Sequence, residues 1–379
     1  MNIKVSHFSN NSWKSPIKSD VFNDNSTNLA LLFADRMLLE DTGFCQKLNT
    51  QFLNIPFVSC STSGEIYQDS VSDQSAVLVQ FEFEKTPIST YIINQALFSS
   101  SEEAGEALAA QIEKEELSYV MVFSDGGQVN GADLIHGLNT HLPKDVLVTG
   151  GLAGDADRFE KTVVGLNDDI KSGNIVAIAF YGDAIKIGHG SMGGWESFGP
   201  ERTITKSTAN VLYEIDGNNA LDLYSKYLGD YASELPMSAL LFPLSLEIDP
   251  NEASVVRTIL SVDFQQKSMT FAGNVPEGGK VRLMKANFDK LIDAAGEASE
   301  FAFESELPVE FALLVSCVGR KLILKSRIDE EIEAVRLNLP KSAITAGFYS
   351  YGELSPLKQQ GNCELHNQTM TITTFSEQL

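Results

Sequence analysis

Basic residues are the first shortage. Only 28 Lys and Arg stand against 51 Asp and Glu in 379 residues, a formal net charge of −23. Neutralising a phosphate backbone takes clustered Lys and Arg, so nucleic acid is excluded as an expected partner. Anionic membrane surfaces are disfavoured for the same reason. No apolar run approaches the ~18–20 residues of a transmembrane helix, and the N-terminal MNIKVSHFSNNSWKSPIK lacks the apolar core of a signal peptide. The four cysteines (Cys45, Cys60, Cys317 and Cys363) contain no CxxC and no CxxCH. That spacing excludes a zinc ribbon and covalent haem attachment and offers no disulfide framework. Together these absences lead to the expectation of a soluble cytoplasmic protein with no membrane insertion. Histidine and tryptophan are scarce too, with five and two residues.

Apolar residues are not scarce: 43% of the chain is hydrophobic, ample for a large core, and two domains or a duplicated fold are the natural expectation at this length. The first 26 residues are polar and weakly periodic and read as an N-terminal arm. After them three pairs of segments look alike. NLALLFA (28–34), SYVMVFS (118–124) and FALLVSC (311–317) are apolar and β-rich, and each is followed by a second apolar run ending in small residues, IPFVSCSTSGE, VLVTGGLAGD and AITAGFYSYGE. All three second runs close on a glycine and an acid: Gly64-Glu65, Gly154-Asp155 and Gly352-Glu353. Helical patterns fill the gaps, with Leu134, Ile135, Leu138 and Leu142 at helical spacing in one and acids opening DEEIEAVRLNL in another. Strand, helix and strand at this spacing form a parallel crossover unit.

Further helices are expected at 102–117, 219–229 and 282–299. Antiparallel strands are expected at 76–84, 175–191 with a Gly182-Asp183 turn, 254–273 and 369–375. The fold class is therefore α/β, with repeated βα units, mixed sheets and additional antiparallel strands, in two closely packed halves. The Asp216-Gly217 pair is the best candidate junction, dividing the chain into 27–217 and 218–379. In open α/β sheets ligands gather at the carboxyl ends of strands, so the small-residue endings mark a candidate pocket.

The segments VSCSTSGEI (58–66), MVFSDG (121–126), VTGGLAGD (148–155), GHGSMGGWESFG (188–199), EIDGNNALDLY (214–224), LLVSCVGR (313–320), AGFYSYGELSP (346–356) and ELHNQTMT (364–371) together resemble the FIST sensory proteins, with the motifs in family order. Ser59 departs from the glycine often found before the Cys-Ser-Thr run, and Val318-Gly319 fall where variation is usual. The resemblance implies a FIST N-type domain over 27–217 and a FIST C-type domain over 218–379. It also implies a signal-input protein of bacterial type, not an enzyme. Because no output domain follows before Leu379, the signal is expected to pass to a separate partner. A stand-alone subgroup of the family senses nitric oxide through non-covalently bound haem b and regulates a histidine kinase, which would make this chain part of a two-component system. Other members are proposed to bind small metabolites such as amino acids.

The stretch IKIGHGSMGGWESFGP (185–200) has five glycines around His189 and Trp195. Glycines on both sides of an imidazole would let a flat macrocycle approach the backbone, so His189 is the expected haem ligand and His366 the second choice. A hydrogen-bonded structural histidine at a strand end is the alternative. His136 and His141, five apart on one helical pattern, do not share a face as metal ligands would. For a metal-free metabolite, the expected contacts are Cys60, Ser61, Gly151 and Tyr349 at the strand ends, Trp195, and the charged Asp155, Arg202, Arg320 and Glu353, an arginine suiting a ligand carboxylate. Close packing and rim ion pairs are the alternatives for these groups. A Cys317–His366–Glu353 nucleophilic set can be drawn, but a cysteine ending LLVSC is more often a small buried residue.

Overall fold

The computed structural model describes residues 1–14, 17, 27–52, 55–247, 254–303, 308–356 and 361–378. The repeated units are present three times, each as a pair of parallel strands joined through helix. The first unit comprises β1 (Asn2–Ser9), β2 (Ser12–Trp13), β3 (Thr27–Ala34), α1 (Arg36–Glu40), α2 (Thr42–Asn49), β4 (Phe57–Ser61), the hairpin β5 (Glu65–Tyr67) and β6 (Ser70–Ser72), and β7 (Ala76–Phe83). The second comprises β8 (Ile88–Asn94), α3 (Ser101–Gln111), β9 (Leu117–Ser124), α4 (Gly131–His141), β10 (Leu147–Leu152), the hairpin β11 (Val164–Leu166) and β12 (Asp169–Lys171), and β13 (Asn174–Tyr181). The third opens with β14 (Ile185–Met192).

An insertion then carries β15 (Glu196–Thr208), β16 (Val211–Ile215), β17 (Asn218–Asn219), α5 (Ala220–Leu228), β18 (Leu244–Glu247), β19 (Val255–Arg257), β20 (Ile259–Asp263), β21 (Ser268–Phe271) and β22 (Lys280–Lys285). The third unit resumes with α6 (Phe288–Ala302), β23 (Phe311–Cys317), α7 (Val318–Leu324), α8 (Ile328–Asn338), β24 (Ile344–Ser350), the hairpin β25 (Gly352–Pro356) and β26 (Cys363–His366), and β27 (Met370–Glu377).

Three sheets share one plan. Their orders are β12-β11-β4-β3-β7-β1-β2, β26-β25-β10-β9-β13-β8 and β6-β5-β24-β23-β27-β14. The parallel pairs β3–β4, β9–β10 and β23–β24 lie at the centre of each. The hairpin that follows each second strand is exchanged: unit one lends β5–β6 to the third sheet, unit two lends β11–β12 to the first, and unit three lends β25–β26 to the second. The insertion forms a fourth sheet from β15, β16 and β18 to β22.

Strand alternation builds the core. In β9, Tyr119, Met121 and Phe123 enter a central cluster with Phe33, Phe81, Val315 and Phe348 from the other sheets, while Val120 and Val122 meet Leu108, Leu134 and Leu138 of α3 and α4. Period-two alternation thus serves an inner core shared by three sheets and an outer one under each helix layer.

Several sequence expectations are corrected. The N-terminal arm begins as a strand, β1 pairing antiparallel with β7, because Val5 and its neighbours complete a sheet edge; the rest of 1–26, beyond residue 14 and apart from Ile17, lies outside the described residues. Residues 280–285 form β22, not the start of a helix, since Val281 and Leu283 alternate inward between β15 and β18. Strands β13 and β14 belong to different sheets despite the Gly-Asp turn between them. These corrections aside, Asp216-Gly217 forms a tight turn in the fourth sheet, with Glu214 of β16 facing Asn219 of β17.

Candidate functional site

The carboxyl ends of β9 and β23 open into a cavity of about 640 Å³ that the insertion covers. On the side of the three sheets, its wall is formed by the β9–α4 turn at Gly126 and Gly127, the β23–α7 turn at Cys317 and Gly319, and Leu152, Tyr351 and Asn367. On the side of the insertion it is formed by Asn210, Met237, Leu240, Thr258, Leu260 and Phe271. This is the strand-end position where α/β sheets gather ligands.

Local chemistry explains the shape of each wall. Buried Asp125 accepts hydrogen bonds from the backbone N–H groups of Gly127 (2.8 Å), Gln128 (2.6 Å) and Gly173 (2.9 Å), which folds the β9–α4 turn back on itself. A side chain at Gly126 would put Cβ 2.0 Å from the Ala153 carbonyl oxygen, so the turn approaches the neighbouring strand only as glycine. Asn130 caps α4, accepting from Ala132 N at 3.1 Å. It also donates to Asn274 Oδ1 at 3.0 Å, and Asn274 in turn donates to Asp133 at 2.6 Å. Arg257 is wholly buried and donates to the carbonyl oxygens of Leu365 (2.9 Å) and Asn274 (3.3 Å). These bonds fasten the insertion to the second sheet. Burial lowers the Arg257 guanidinium to about 10.

Two features of the lining are unusual. The Thr258 hydroxyl is buried with no hydrogen-bond partner among the described residues, an arrangement that costs free energy unless something fills it. Phe159, half-exposed at the wall, has φ +52 and stacks on Tyr351 with ring centroids 4.8 Å apart and planes 15° from parallel. A bulky residue in left-handed backbone is strained, and such strain clusters at functional sites.

Of the residues named from sequence alone, Cys317 lines this cavity and the expected ligand contacts lie around it without lining it. Ser61 donates to the Gly154 carbonyl oxygen at 2.9 Å, tying unit one to unit two. Cys60 faces the central core, and Gly151 pairs with Glu353 across β10 and β25, with room for no more than a hydrogen because Val315 Cγ1 lies 2.7 Å from where Cβ would stand. Asp155 receives Arg36 Nε at 2.9 Å and Arg158 Nε at 2.7 Å. Burial opposes its charge, but these hydrogen bonds hold it below the usual carboxylate range. Arg320 is fully buried on Glu331 at 2.6 Å and on the carbonyl oxygens of Gly193 and Leu291 (2.6 Å each), and Tyr349 donates to the same Glu331 at 2.7 Å. Arg202 pairs with Asp216 at 2.8 Å in the insertion. Trp195 donates to the Gln368 carbonyl oxygen at 2.9 Å.

The histidines do not fit a haem. Beside His189, Gly188 and Gly190 face α6, where an added Cβ would lie 2.2 Å from the Ala302 oxygen and 2.1 Å from the Ala298 oxygen. The backbone that glycine exposes is covered by a helix, which is the close approach those residues serve. His189 itself is buried opposite Thr373 in the β14–β27 ladder. His366 donates Nε2–H to the Ser355 carbonyl oxygen at 2.9 Å, and burial lowers it to about 4, so it stays neutral. Burial pushes the Cys317 thiol far up, the direction opposite to that of an activated nucleophile.

Sequence reasoning missed Thr258, Asn210 and the other residues of the insertion, which carry no repeat. On the other wall it came within two positions at Gly319, Tyr351 and Asn367, and Gly126 lies in a quoted motif from which no site residue was named; all four line the cavity.

The FIST N domain family matches residues 28–218 and the FIST C domain family matches residues 220–356. An "Uncharacterized protein" of Methanocaldococcus jannaschii is 23% identical over an alignment of 397 residues that covers 90% of this chain and 73% of that protein.

Proposed function

The chain belongs to the FIST family of sensory, small-ligand-binding signalling domains, and from that premise we propose that its ligand occupies the cavity between the three-sheet body and the insertion. The observation that carries this reading is the convergence there of four separate motifs, through Gly126, Gly319, Tyr351 and Asn367, at the carboxyl ends of parallel strands. The volume suits a small organic molecule. A ligand touching both walls binds the closed arrangement better than one in which the insertion has moved, and that differential affinity is what shifts a two-state equilibrium. The insertion therefore transmits the signal. Met237 and Leu260, which line the cavity, are also exposed, as is Phe264 just past the end of β20, and this is the surface we assign to a separate signalling partner such as a histidine kinase.

The test is a thermal-shift screen of small metabolites against the wild-type protein and Leu240→Trp, whose larger side chain narrows the cavity from its insertion wall. Ligands should raise Tm in the wild type, as native-state binding requires, and lose that effect in the variant. Stabilisation indifferent to Leu240→Trp, or a Soret band after haemin addition that depends on His189, would overturn the assignment.

A further inference from the structure

The cavity's lining, taken as the ligand site, further narrows the chemistry of what it binds. We infer that the ligand is an uncharged, flat ring compound carrying an amide-type edge, a carbonyl beside an N–H. No described residue lining the cavity is charged. A buried charge without a partner is costly, so a zwitterion or carboxylate would enter with its charges uncompensated. Of the two helix starts on the wall, those of α4 and the short α7, that of α4 offers no remedy. The first N–H groups of α4 are engaged by Asn130, and Asp133 already places a negative charge in that turn. Asp125 lies buried beneath the same loop. The Arg257 guanidinium sits behind Gly273 and faces carbonyl oxygens of Leu365, Asn274 and Val256, outside the lining, while Arg158 and Arg320, each next in sequence to a lining residue, are paired with Asp155 and Glu331.

What the cavity does offer is a neutral hydrogen-bonding pair between apolar plates. Thr258 has a hydroxyl free to donate, buried and without a partner among the described residues. Beside it, Asn367 Oδ1 receives only a long contact of 3.5 Å from Thr258 N, its own amide N–H being given to the His366 carbonyl oxygen at 3.0 Å. The pair presents one donor and one acceptor side by side. A ligand carbonyl accepts from Thr258 Oγ1 while the adjacent ligand N–H donates to Asn367 Oδ1, which is the pattern of an amide or lactam edge. The Phe159–Tyr351 stack lies on the wall of the same cavity, and aromatic faces prefer a flat partner.

Benzamide, benzoate and benzamidinium share one ring and one size with neutral, negative and positive heads, and serve as probes. Their binding is measured by ligand-observed NMR at millimolar concentration on the full chain, on Leu240→Trp and on Thr258→Val, which keeps shape and loses the hydroxyl. Benzamide is expected to bind about tenfold or more tighter than either ion, and to weaken roughly five- to tenfold in Thr258→Val, with Tm of that variant confirming its fold. Equal or tighter binding of an ion, blocked by Leu240→Trp, overturns the uncharged class and leaves the cavity as the site. Benzamide binding indifferent to Leu240→Trp overturns the cavity assignment itself. Absence of benzamide binding, or no loss in a folded Thr258→Val, overturns the amide edge.

Discussion

Glu65 and Glu353 hold the same place in two of the three units, at the start of an exchanged hairpin, and their surroundings match atom for atom. Glu65 accepts at Oε2 from Ser75 N (3.2 Å) and Ser75 Oγ (2.6 Å) and meets Thr62 Oγ1 at Oε1. Glu353 accepts at Oε2 from Thr369 N (3.1 Å) and Thr369 Oγ1 (2.9 Å) and meets Ser350 Oγ at Oε1, 2.7 Å away. The third copy has Leu152 where the others have Thr62 and Ser350, and Asp155 turns to arginines instead. Burial raises both glutamates to about 8 from 4.5, Asp35 adding to the effect at Glu65 while Lys321 and Arg320 oppose it at the two sites. A folded-state value above the unfolded one means the folded chain holds the proton more tightly. The stability from these two groups is complete below pH ~4.5 and is lost as pH rises through about 8. Glu65→Gln and Glu353→Gln copy the protonated form, with Nε2 in the place of the glutamate Oε1 donating to the Thr62 or Ser350 hydroxyl and the amide oxygen accepting from Ser75 or Thr369. Urea unfolding at pH 5 and pH 8.5 should therefore show wild-type stability falling with pH and the double variant nearly flat across it, with a gain at pH 8.5 on the order of 4 kcal/mol per site. An unchanged pH slope in the variant would show that the carboxyls titrate elsewhere.

At the scale of elements, periodicity was legible and direction of approach was not. The three parallel strand pairs follow from paired apolar runs, and α4 follows from Leu134, Ile135 and Leu138 behind an Asn cap. Glycine-rich segments were read as space for a ligand, and mostly they serve backbone contact. Helices α3 and α4 cross where Gly105 and Gly137 face each other's backbone; a Cβ at Gly137 would lie 2.1 Å from the Glu102 oxygen, and one at Gly105 would lie 2.2 Å from the Leu134 oxygen. Gly137→Ala must push the helices apart and is expected to cost about 1–3 kcal/mol, although alanine is the better helix former. Chemical denaturation measures this directly, and a stabilised Gly137→Ala would refute the close crossing. The same reasoning explains the site residues. Tyr349 and Tyr351 are two apart in one motif, yet a bend between β24 and β25 sends the first to Glu331 and the second to the cavity.

At the scale of the whole molecule, hairpin exchange makes the three sheets interdependent. The third sheet takes β5, β6 and β14 from the first half of the chain and β23, β24 and β27 from the second. Fragments 1–217 and 218–379 should therefore each fail to fold alone, and co-expression should restore structure; dispersed amide NMR signals from either fragment by itself would contradict this. Composition and period determined the elements of this protein. They set the α/β class, the three βα repeats, the buried strands and the family's motifs, because burial of alternate side chains is a local demand written residue by residue. Which hairpin joins which sheet, that the glycines beside His189 receive a helix, and that the insertion closes a cavity over the strand ends were decided by tertiary structure alone. Those outcomes depend on contacts between residues more than a hundred positions apart, such as Arg257 with Leu365, whose side chains carry no local sign of the partner they meet.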